Sequence, residues 1–206
     1  MKPADRKAHW EQVYSTKPVT EVSWYQPDAA LSLALITRHV TALDAHIIDV
    51  GSGATALTAQ LVAHGYTNLS VLDISGAALA AARDRLGSGA ERVRWIEADV
   101  LLADLPAHRF TFWHDRAVFH FLTDTHDQAA YALQLRHSVA PGGHAMIATF
   151  APDGPLRCSG LDVVRYEPRE LVEIIGGGAT LIEAHQETHM TPSGAAQSFS
   201  YCLLRL

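Results

Sequence analysis

The amino-acid sequence predicts an α/β fold, a three-layer sandwich whose mostly parallel, seven-stranded sheet ends in a C-terminal antiparallel hairpin. Two observations lead to this prediction. From about residue 28 onward, short β-like runs alternate with helical runs, the order expected of a parallel sheet that helices cover on both faces. The last two β-like runs, 180–188 and 198–206, are separated by a turn that contains Pro192 and Gly194, and this pattern predicts a hairpin.

The elements follow one another regularly along the chain. Leu31, Leu35 and Ile36 recur at helical spacing after Asp28, a suitable N-cap, and predict a helix over 28–42. Pro141-Gly-Gly143 is expected to separate the helix at 125–139 from the strand at 144–150. The other predicted strands are 46–50, 69–73, 93–98 and 110–114, and the other predicted helices are 55–64, 75–86 with Ser75 as cap, and a helix from Pro168 to the glycines at 176–178.

The length and composition predict one globular domain over residues 1–206. A chain of 206 residues that is 48% hydrophobic and 18% charged can bury a sufficient core and fold unaided. We expect residues 1–27 to form an arm that is rich in aromatic side chains. Residues 151–178 form a long loop and a short helix after the fifth strand, and loops of this length in compact domains often contact substrate.

The charge balance argues against nucleic-acid and membrane partners. With 16 basic and 22 acidic residues the formal charge is −6, so no overall attraction draws the chain to phosphate backbones or anionic lipids. The three lysines, Lys2, Lys7 and Lys17, all precede the expected core. This position excludes mechanisms that need a core lysine as a base or a Schiff base.

The cysteines predict a reducing compartment. Cys158 and Cys202 are not in CxxC spacing, and the sequence shows neither a secretory signal nor an 18-residue apolar run. We therefore expect a cytoplasmic protein. A monomer and a homodimer are both compatible with the sequence.

A glycine turn after the first strand predicts a nucleotide-type cofactor site. In Asp49-Val-Gly51-Ser52-Gly53 two glycines stand at the strand-to-helix turn, where missing side chains let the backbone approach a ligand. Such turns also occur without a ligand, so the flanking positions decide between the two readings.

Carboxylates end the next two strands. Asp73 comes 24 residues after Asp49, where a carboxylate can accept both hydroxyl groups of a ribose. Asp99 follows the third strand and can accept from an exocyclic amine such as that of adenine, with Ile74 and Val100 as apolar walls for the base. Three acids at three successive strand ends favour a binding site over a solvated surface.

These residues carry a family resemblance over nearly the whole chain. It is to the class I, Rossmann-like, seven-strand S-adenosylmethionine-dependent methyltransferases. The resemblance implies S-adenosylmethionine as cofactor and S-adenosylhomocysteine as product. It also implies that Asp49 and the glycine turn hold the methionine part, Asp73 the ribose and Asp99 the adenine amine. Thr55 stands at the third glycine position and is a further expected cofactor contact. The motifs are Asp49-x-Gly51-x-Gly53, Val71-Leu-Asp73, Glu97-Ala-Asp99-Val and Pro141-Gly-Gly143.

The aromatic arm adds to the resemblance. The segment from His9-Trp10 through Tyr14 to Trp24-Tyr25 is similar to the arm of small bacterial methyltransferases and of some protein-lysine methyltransferases, where such aromatics fold over the cofactor. This similarity implies that Tyr14 and Trp24 contact the cofactor and that Tyr25 contacts the substrate. The same aromatics could instead pack the arm onto the sheet.

The end of the fourth strand supplies the candidate catalytic residues. Methyl transfer is an in-line displacement in which proximity supplies about 7–11 kcal/mol of the barrier, so a base is needed only for a protonated acceptor. His114, Asp115 and His120 lie where the acceptor-facing residues of the family come from, and His114 also reads as a cofactor contact. A purely structural role at the strand end is the alternative.

Arginines and one histidine are the candidate substrate contacts. Arg116, Arg157 and Arg165 could clamp an anionic acceptor, or satisfy loop carbonyls and acidic neighbours. His189 on the hairpin could face the same pocket. The six-residue spacing of the histidines at 114, 120 and 126 fits no compact ligand set, so no metal is expected.

The sequence favours methyl transfer to a small-molecule acceptor, because the chain is compact and shows no appended recognition domain. A protein-lysine methyltransferase is the alternative, since the segment at Asp115 loosely resembles the Asp-Lys-Gly-Thr segment of lysine-methylating relatives, with Arg116 in place of lysine. No Asn/Asp-Pro-Pro-Tyr motif for planar nitrogen acceptors is present. A nicotinamide-dependent oxidoreductase would lack its Tyr-x-x-x-Lys pair, and a non-enzymatic S-adenosylmethionine-binding module would need no acceptor pocket.

Overall fold

The protein is a seven-stranded α/β sandwich, which confirms the predicted fold class. A computed structural model describes residues 2–53 and 56–206. In the sheet the strand order is β3-β2-β1-β4-β5-β9-β8, where β1 to β5 are parallel and β9 and β8 form the antiparallel hairpin. The strands are β1 His46–Val50, β2 Asn68–Asp73, β3 Val93–Glu97, β4 Phe110–Arg116, β5 Val139–Phe150, β8 Thr180–Met190 and β9 Ala196–Arg205.

Helices cover both faces of this sheet. One face packs against α2, α3 and α4 through buried side chains such as Leu35, Leu61 and Leu79. The other face packs against α5 and α6 through Tyr131 and Leu171. Burial of such side chains stabilises the fold by about 1.5–3 kcal/mol each. The helices are α1 Pro3–Thr16, α2 Ala30–His39, α3 Leu57–Ala63, α4 Gly76–Leu86, α5 Thr125–Ser138 and α6 Pro168–Ile175, with 3-10 turns at Val19–Glu21, Gly87–Arg92 and Phe119–Phe121.

The strand order fixes where a ligand can bind. Going outward from the centre, the chain runs from β1 to β2 and β3 on one side and from β4 to β5 on the other. At such a reversal the two connections leave in opposite directions and open a crevice beyond the carboxyl ends of the central strands. That crevice lies beyond Val50 of β1 and Arg116 of β4.

Several boundaries differ from the sequence prediction for local reasons. Asp28 does not cap α2; Ala29 stands at the N-cap without a side-chain hydrogen bond, and Asp28 accepts from the Gln60 amide instead. Pro141-Gly-Gly143 lies inside β5 rather than before it. There the ladder to β4 shifts, so that Phe110 pairs with Val139 but Phe112 with His144.

The segment 151–167 is less open than a plain loop. It contains a short antiparallel pair, β6 Arg157–Cys158 and β7 Leu161–Asp162, before α6 begins at Pro168 with Glu167 and Glu170 in a capping box. In the described part of the chain, no helix has the length and apolar character needed to cross a membrane.

Candidate functional site

A cavity occupies the crevice predicted by the strand order. Its empty space, counted together with the solvent at its open mouth, is about 740 Å³. Eight of the predicted site residues line it: Tyr14, Trp24, Gly51, Asp73, Ile74, Asp99, Val100 and Arg116. The other described residues of its wall are Arg6, Trp10, Val50, Leu72, Ala98, Ala117, Val118, Phe121, Leu122 and Cys158.

The glycine turn borders the cavity and needs both of its glycines. Gly51 has φ +62° and Gly53 has φ +54°, a region that L side chains rarely adopt. A Cβ atom at Gly51 would lie 1.9 Å from a methyl carbon of Val118, and one at Gly53 would lie 2.3 Å from the Tyr14 hydroxyl. The turn therefore lets neighbouring chain segments approach as close as the backbone allows.

Asp73 joins the turns that follow β1 and β2. Its carboxylate accepts from the Gly53 amide at 2.8 Å and from the Ser75 amide at 2.9 Å. The residue is 5% exposed and borders the cavity. Burial raises the pKa of the Asp73 carboxyl to about 6, although the two amide hydrogen bonds oppose the shift.

Asp49 lies behind the glycine turn, in a buried polar cluster. Nδ1 of His114 lies 2.6 Å from Asp49 Oδ1, and Nε2 of the same ring lies 3.0 Å from the Ser32 hydroxyl. Thr58 donates to the other Asp49 oxygen at 3.4 Å. These groups, together with Ser52, are 2–6% exposed and do not belong to the described cavity wall. The contacts of Asp49 and His114 are thus with each other and with the protein interior.

Asp99 is bound by the N-terminal helix. Its Oδ1 accepts from the Leu101 amide at 3.0 Å, while Oδ2 accepts from Arg6 Nε at 3.0 Å. Arg6 also reaches Asp127 of α5 at 2.8 Å. Because the side chains of Arg6 and Asp99 are 13% and 10% exposed, solvent screens this ion pair less than a surface pair.

The arm is a helix that lies across the carboxyl edge of the sheet. Arg6, Trp10 and Tyr14 are spaced by four residues, so they share one face of α1, and all three line the cavity. Trp10 packs edge-on against Trp24 and Phe121, and Trp24 donates to the Tyr14 hydroxyl at 3.0 Å. The four-residue spacing is the signal in the sequence that could have revealed this helix and Arg6 with it.

Two further polar contacts tie α1 to the sheet edge. Lys7 forms an ion pair with Glu97 at the end of β3, and Glu11 accepts from the Ser75 hydroxyl at the start of α4. Together with the Arg6 contacts, they hold the helix at both β2 and β3.

Asp115 and His120 have contacts that are mainly structural. Asp115 is fully buried and accepts from the Val118 and Phe119 amides and from the Tyr131 hydroxyl. Burial raises the pKa of the Asp115 carboxyl to about 6. Burial, with a smaller effect of the nearby Arg116 charge, lowers the pKa of His120 to about 3. Neither residue belongs to the described cavity wall.

Arg116 lies on the cavity wall but is largely engaged by the protein. Its Nε donates to the Tyr201 hydroxyl at 2.8 Å and one terminal nitrogen donates to the Trp24 carbonyl at 3.1 Å. The other terminal nitrogen lies 4.0 Å from Glu187, and the guanidinium stacks on the Phe199 ring at 4.3 Å. Arg116 thereby connects the arm to the C-terminal hairpin.

The remaining predicted substrate contacts lie outside the described cavity wall. Each of these side chains has a partner within the protein, so their role toward substrate stays a prediction. The partners are Arg85 stacked on Tyr25, Asp162 for Arg157, the Gly154 carbonyl for Arg165 and the Ser23 carbonyl for His189.

Several apolar residues of the cavity wall were not predicted from the sequence as site residues. Phe121 and Leu122 follow the turn at Phe119–Phe121, and Cys158 reaches the cavity from β6. Burial raises the pKa of the Cys158 thiol to about 11, so the residue is a neutral thiol at physiological pH. Within residues 2–53 and 56–206, no group of three or more His, Cys, Asp or Glu side chains could hold a metal ion.

The cavity fits S-adenosylmethionine by several independent features. Its wall combines the carboxylates of Asp73 and Asp99 with the apolar side chains of Ile74 and Val100, and such a wall suits the polar and apolar parts of S-adenosylmethionine. Gly51 contributes backbone without a side chain to the cavity wall. Thr55 lies outside the described residues.

Comparison with known proteins agrees with this geometry. Residues 47–143 match the family model described as a methyltransferase domain. The chain is 31% identical over 104 residues to uncharacterized methyltransferases of Mycobacterium tuberculosis and Mycobacterium bovis. The alignment covers 50% of this chain and 50% of each relative, so the chain spans about half the length of the curated relatives it matches.

Solved structures share the fold at low sequence identity. The 1,6-didemethyltoxoflavin-N1-methyltransferase of Burkholderia thailandensis is 19% identical with a TM-score of 0.70, covering 100% of this chain and 90% of that one. The N-methyltransferase NodS of Bradyrhizobium japonicum, in complex with S-adenosylhomocysteine, is 17% identical with a TM-score of 0.66, covering 95% and 97%. At these identities the likeness concerns the fold.

The matched family model spans the glycine turn and the carboxyl ends of β2 and β3. Over residues 47–143 the chain is similar to methyltransferase domains, and it has the seven-strand α/β fold of solved S-adenosylmethionine-dependent methyltransferases.

Proposed function

We propose that the protein transfers a methyl group from S-adenosylmethionine to a small-molecule acceptor by in-line displacement. One observation carries the small-molecule part of this proposal. Helix α1 lies across the carboxyl edge of the sheet, where Trp10, Trp24 and Phe121 wall the cavity. A cavity covered by a helix favours a compact acceptor over a side chain on a folded protein.

The cofactor contacts follow from the cavity. We assign the ribose hydroxyls to Asp73 and the adenine amine to Asp99, with Ile74 and Val100 beside the base. Arg6 and the Leu101 amide use only part of the hydrogen-bonding capacity of Asp99, since a carboxylate offers about four lone-pair sites.

The methionine part is assigned to the glycine turn and the groups around it. Gly51 borders the cavity there, and the Tyr14 hydroxyl lies against Gly53. Asp49 and His114 act from behind the turn as positioning residues, because their hydrogen bond fixes the end of β1 against β4.

Methyl transfer mainly requires that the acceptor is aligned with the methyl group and that water is excluded. When bound, the sulfonium of S-adenosylmethionine supplies an electrophilic methyl group. The protein then holds the acceptor in line, and such positioning supplies about 7–11 kcal/mol of the barrier. Trp10, Trp24 and Phe121 exclude water from the acceptor side, and Arg116 is a cation on the same cavity wall.

The similar structures support a small acceptor. Two of them are N-methyltransferases, and one of these is the 1,6-didemethyltoxoflavin-N1-methyltransferase. Asp115 and His120 are proposed as structural supports of the acceptor wall, since Asp115 holds the turn at Phe119–Phe121 and His120 packs against Phe150.

The acceptor class is tested by following the label from methyl-labelled S-adenosylmethionine in a cell extract. We expect the protein to place label in the small-molecule filtrate and not in the protein fraction, because α1 covers the cavity. An Asp73→Ala variant, which should not bind the cofactor, is the control for background transfer. Label in the protein fraction at lysine, absent in that variant, would overturn the proposal in favour of a protein-lysine methyltransferase.

The affinity for S-adenosylhomocysteine is expected to fall at acid pH. The pKa of Asp73 is about 6 in the folded protein. Above that pH the ionised carboxylate accepts both ribose hydroxyls, and below it the proton occupies one acceptor site. Calorimetry at pH 7.5 and pH 5 should show weaker binding at the lower pH for the wild type, and a flat profile for Asp73→Asn. An unchanged pH dependence in Asp73→Asn would contradict the assignment of Asp73.

The Arg6 contacts are expected to slow release of the product. Arg6→Gln removes the link from α1 to Asp99 and Asp127. Because charged hydrogen bonds contribute about 1.5–3 kcal/mol, we expect S-adenosylhomocysteine to dissociate faster by on the order of tenfold. The matched control is Lys7→Gln, whose ion pair with Glu97 is half exposed and should matter little. Tighter binding in Arg6→Gln would show that Arg6 competes with adenine for Asp99 instead.

A further inference from the structure

A second cleft lies at the opposite edge of the sheet from the cofactor cavity. Its empty space, counted together with the solvent at its mouth, is about 480 Å³, and it lies at the amino ends of β1, β2, β3 and β4. A parallel strand rises about 3.3 Å per residue, so the five residues of β1 separate the two edges by roughly 16 Å. The cleft is lined by His46, Thr67, Asn68, Leu69, Ser70, Arg92, Arg94, Arg109 and Phe110.

The chain between β3 and β4 leaves this cleft open. Residues 98–109 run from one strand to the next without a helix. Ser70 and Arg94 are register partners on neighbouring strands, so their side chains lie on the same face of the sheet. Farther along that face Ile48 and Trp113 belong to the buried core. At the amino ends of β2 and β3, polar side chains line the cleft instead.

Three arginines converge on the cleft without a carboxylate partner. Arg92, Arg94 and Arg109 are exposed, and no salt bridge to any of them is present among residues 2–53 and 56–206. Elsewhere in this acidic chain, cations such as Arg6 and Arg38 pair with acids. Like charges gathered at one place repel one another unless an anion lies between them.

His46 reports the positive field inside the cleft. Burial lowers the pKa of its ring, and the charge of Arg109 lowers it further. The charge of Asp44 opposes the shift in part. The effect of Arg109 on the pKa of His46 is therefore larger than the opposing effect of Asp44.

The geometry points to a binding site for a small phosphate-bearing anion at this cleft. Guanidinium groups bind phosphate through paired N–H donors, and three of them can surround one phosphate group from different sides. Ser70 and Asn68 add uncharged polar side chains to the lining, where the Asn68 amide also donates to the Asp44 carbonyl, and the buried Phe110 completes the lining on the β4 side. The anion is a free inorganic phosphate or the phosphate group of a small metabolite.

This site is separate from methyl transfer. Because the cleft and the cofactor cavity share no lining residue, loss of anion binding leaves the binding of S-adenosylhomocysteine unchanged. The inference therefore stands independently of the proposed function, and the two fail in distinguishable ways.

The test is a titration of the full chain with inorganic pyrophosphate at constant ionic strength, followed by calorimetry and by the NMR signals of the His46 ring. We expect saturable binding and a rise in the pKa of His46, because the anion offsets the charge of Arg109. The double variant Arg94→Gln/Arg109→Gln should lose at least tenfold in affinity. Arg169→Gln, an exposed arginine elsewhere, should bind as the wild type does.

Three further arms sharpen the experiment. Unchanged binding of S-adenosylhomocysteine by the double variant verifies that it is folded. Inorganic phosphate and adenosine monophosphate distinguish a free phosphate from a phosphate ester by their relative affinities, and tighter binding of either supports the site. The proposal is overturned if pyrophosphate does not bind, if it binds the double variant equally well, or if citrate at equal charge binds as tightly.

Discussion

The buried carboxylate of Asp73 is the contact on which the cavity at the carboxyl edge of the sheet depends. By accepting from the Gly53 and Ser75 amides it joins the turn after β1 to the turn after β2, and so fixes two neighbouring strand ends relative to each other. An unpaired charge at this depth would be costly, and the two amides offset that cost. The same contacts leave the carboxylate bordering the cavity, with a pKa near 6 that keeps it ionised at neutral pH.

Around this centre the N-terminal helix completes the wall that the sheet alone cannot provide. Arg6 binds Asp99 and Asp127, while Trp10 and Tyr14 on the same face reach Phe121 and Gly53. The helix is polar over most of its surface, so tertiary contacts rather than its own hydrophobic pattern hold it in place. Because these contacts hold the helix over the cavity, they support the proposal of a small acceptor.

Much of this structure could be predicted from the sequence, and the exceptions have physical reasons. Strand ends and the glycine turn carry local signals, so Asp73, Asp99 and Gly51 were placed correctly at the cavity edge. Contacts between residues that are distant in sequence carry no such local signal. Nothing local indicates that Arg6 reaches Asp99, 93 residues away, or that His114 turns toward Asp49 and Ser32 instead of the cavity. The role of His114 toward cofactor or acceptor stays a prediction.

The most direct measurement is a calorimetric titration of the protein with S-adenosylmethionine and S-adenosylhomocysteine, beside NADH, for the wild type and Asp73→Ala. We expect the wild type to bind both sulfur nucleotides with micromolar affinity, Asp73→Ala to lose that binding, and neither protein to bind NADH. The absence of binding by either sulfur nucleotide, or a preference for NADH, would contradict this expectation.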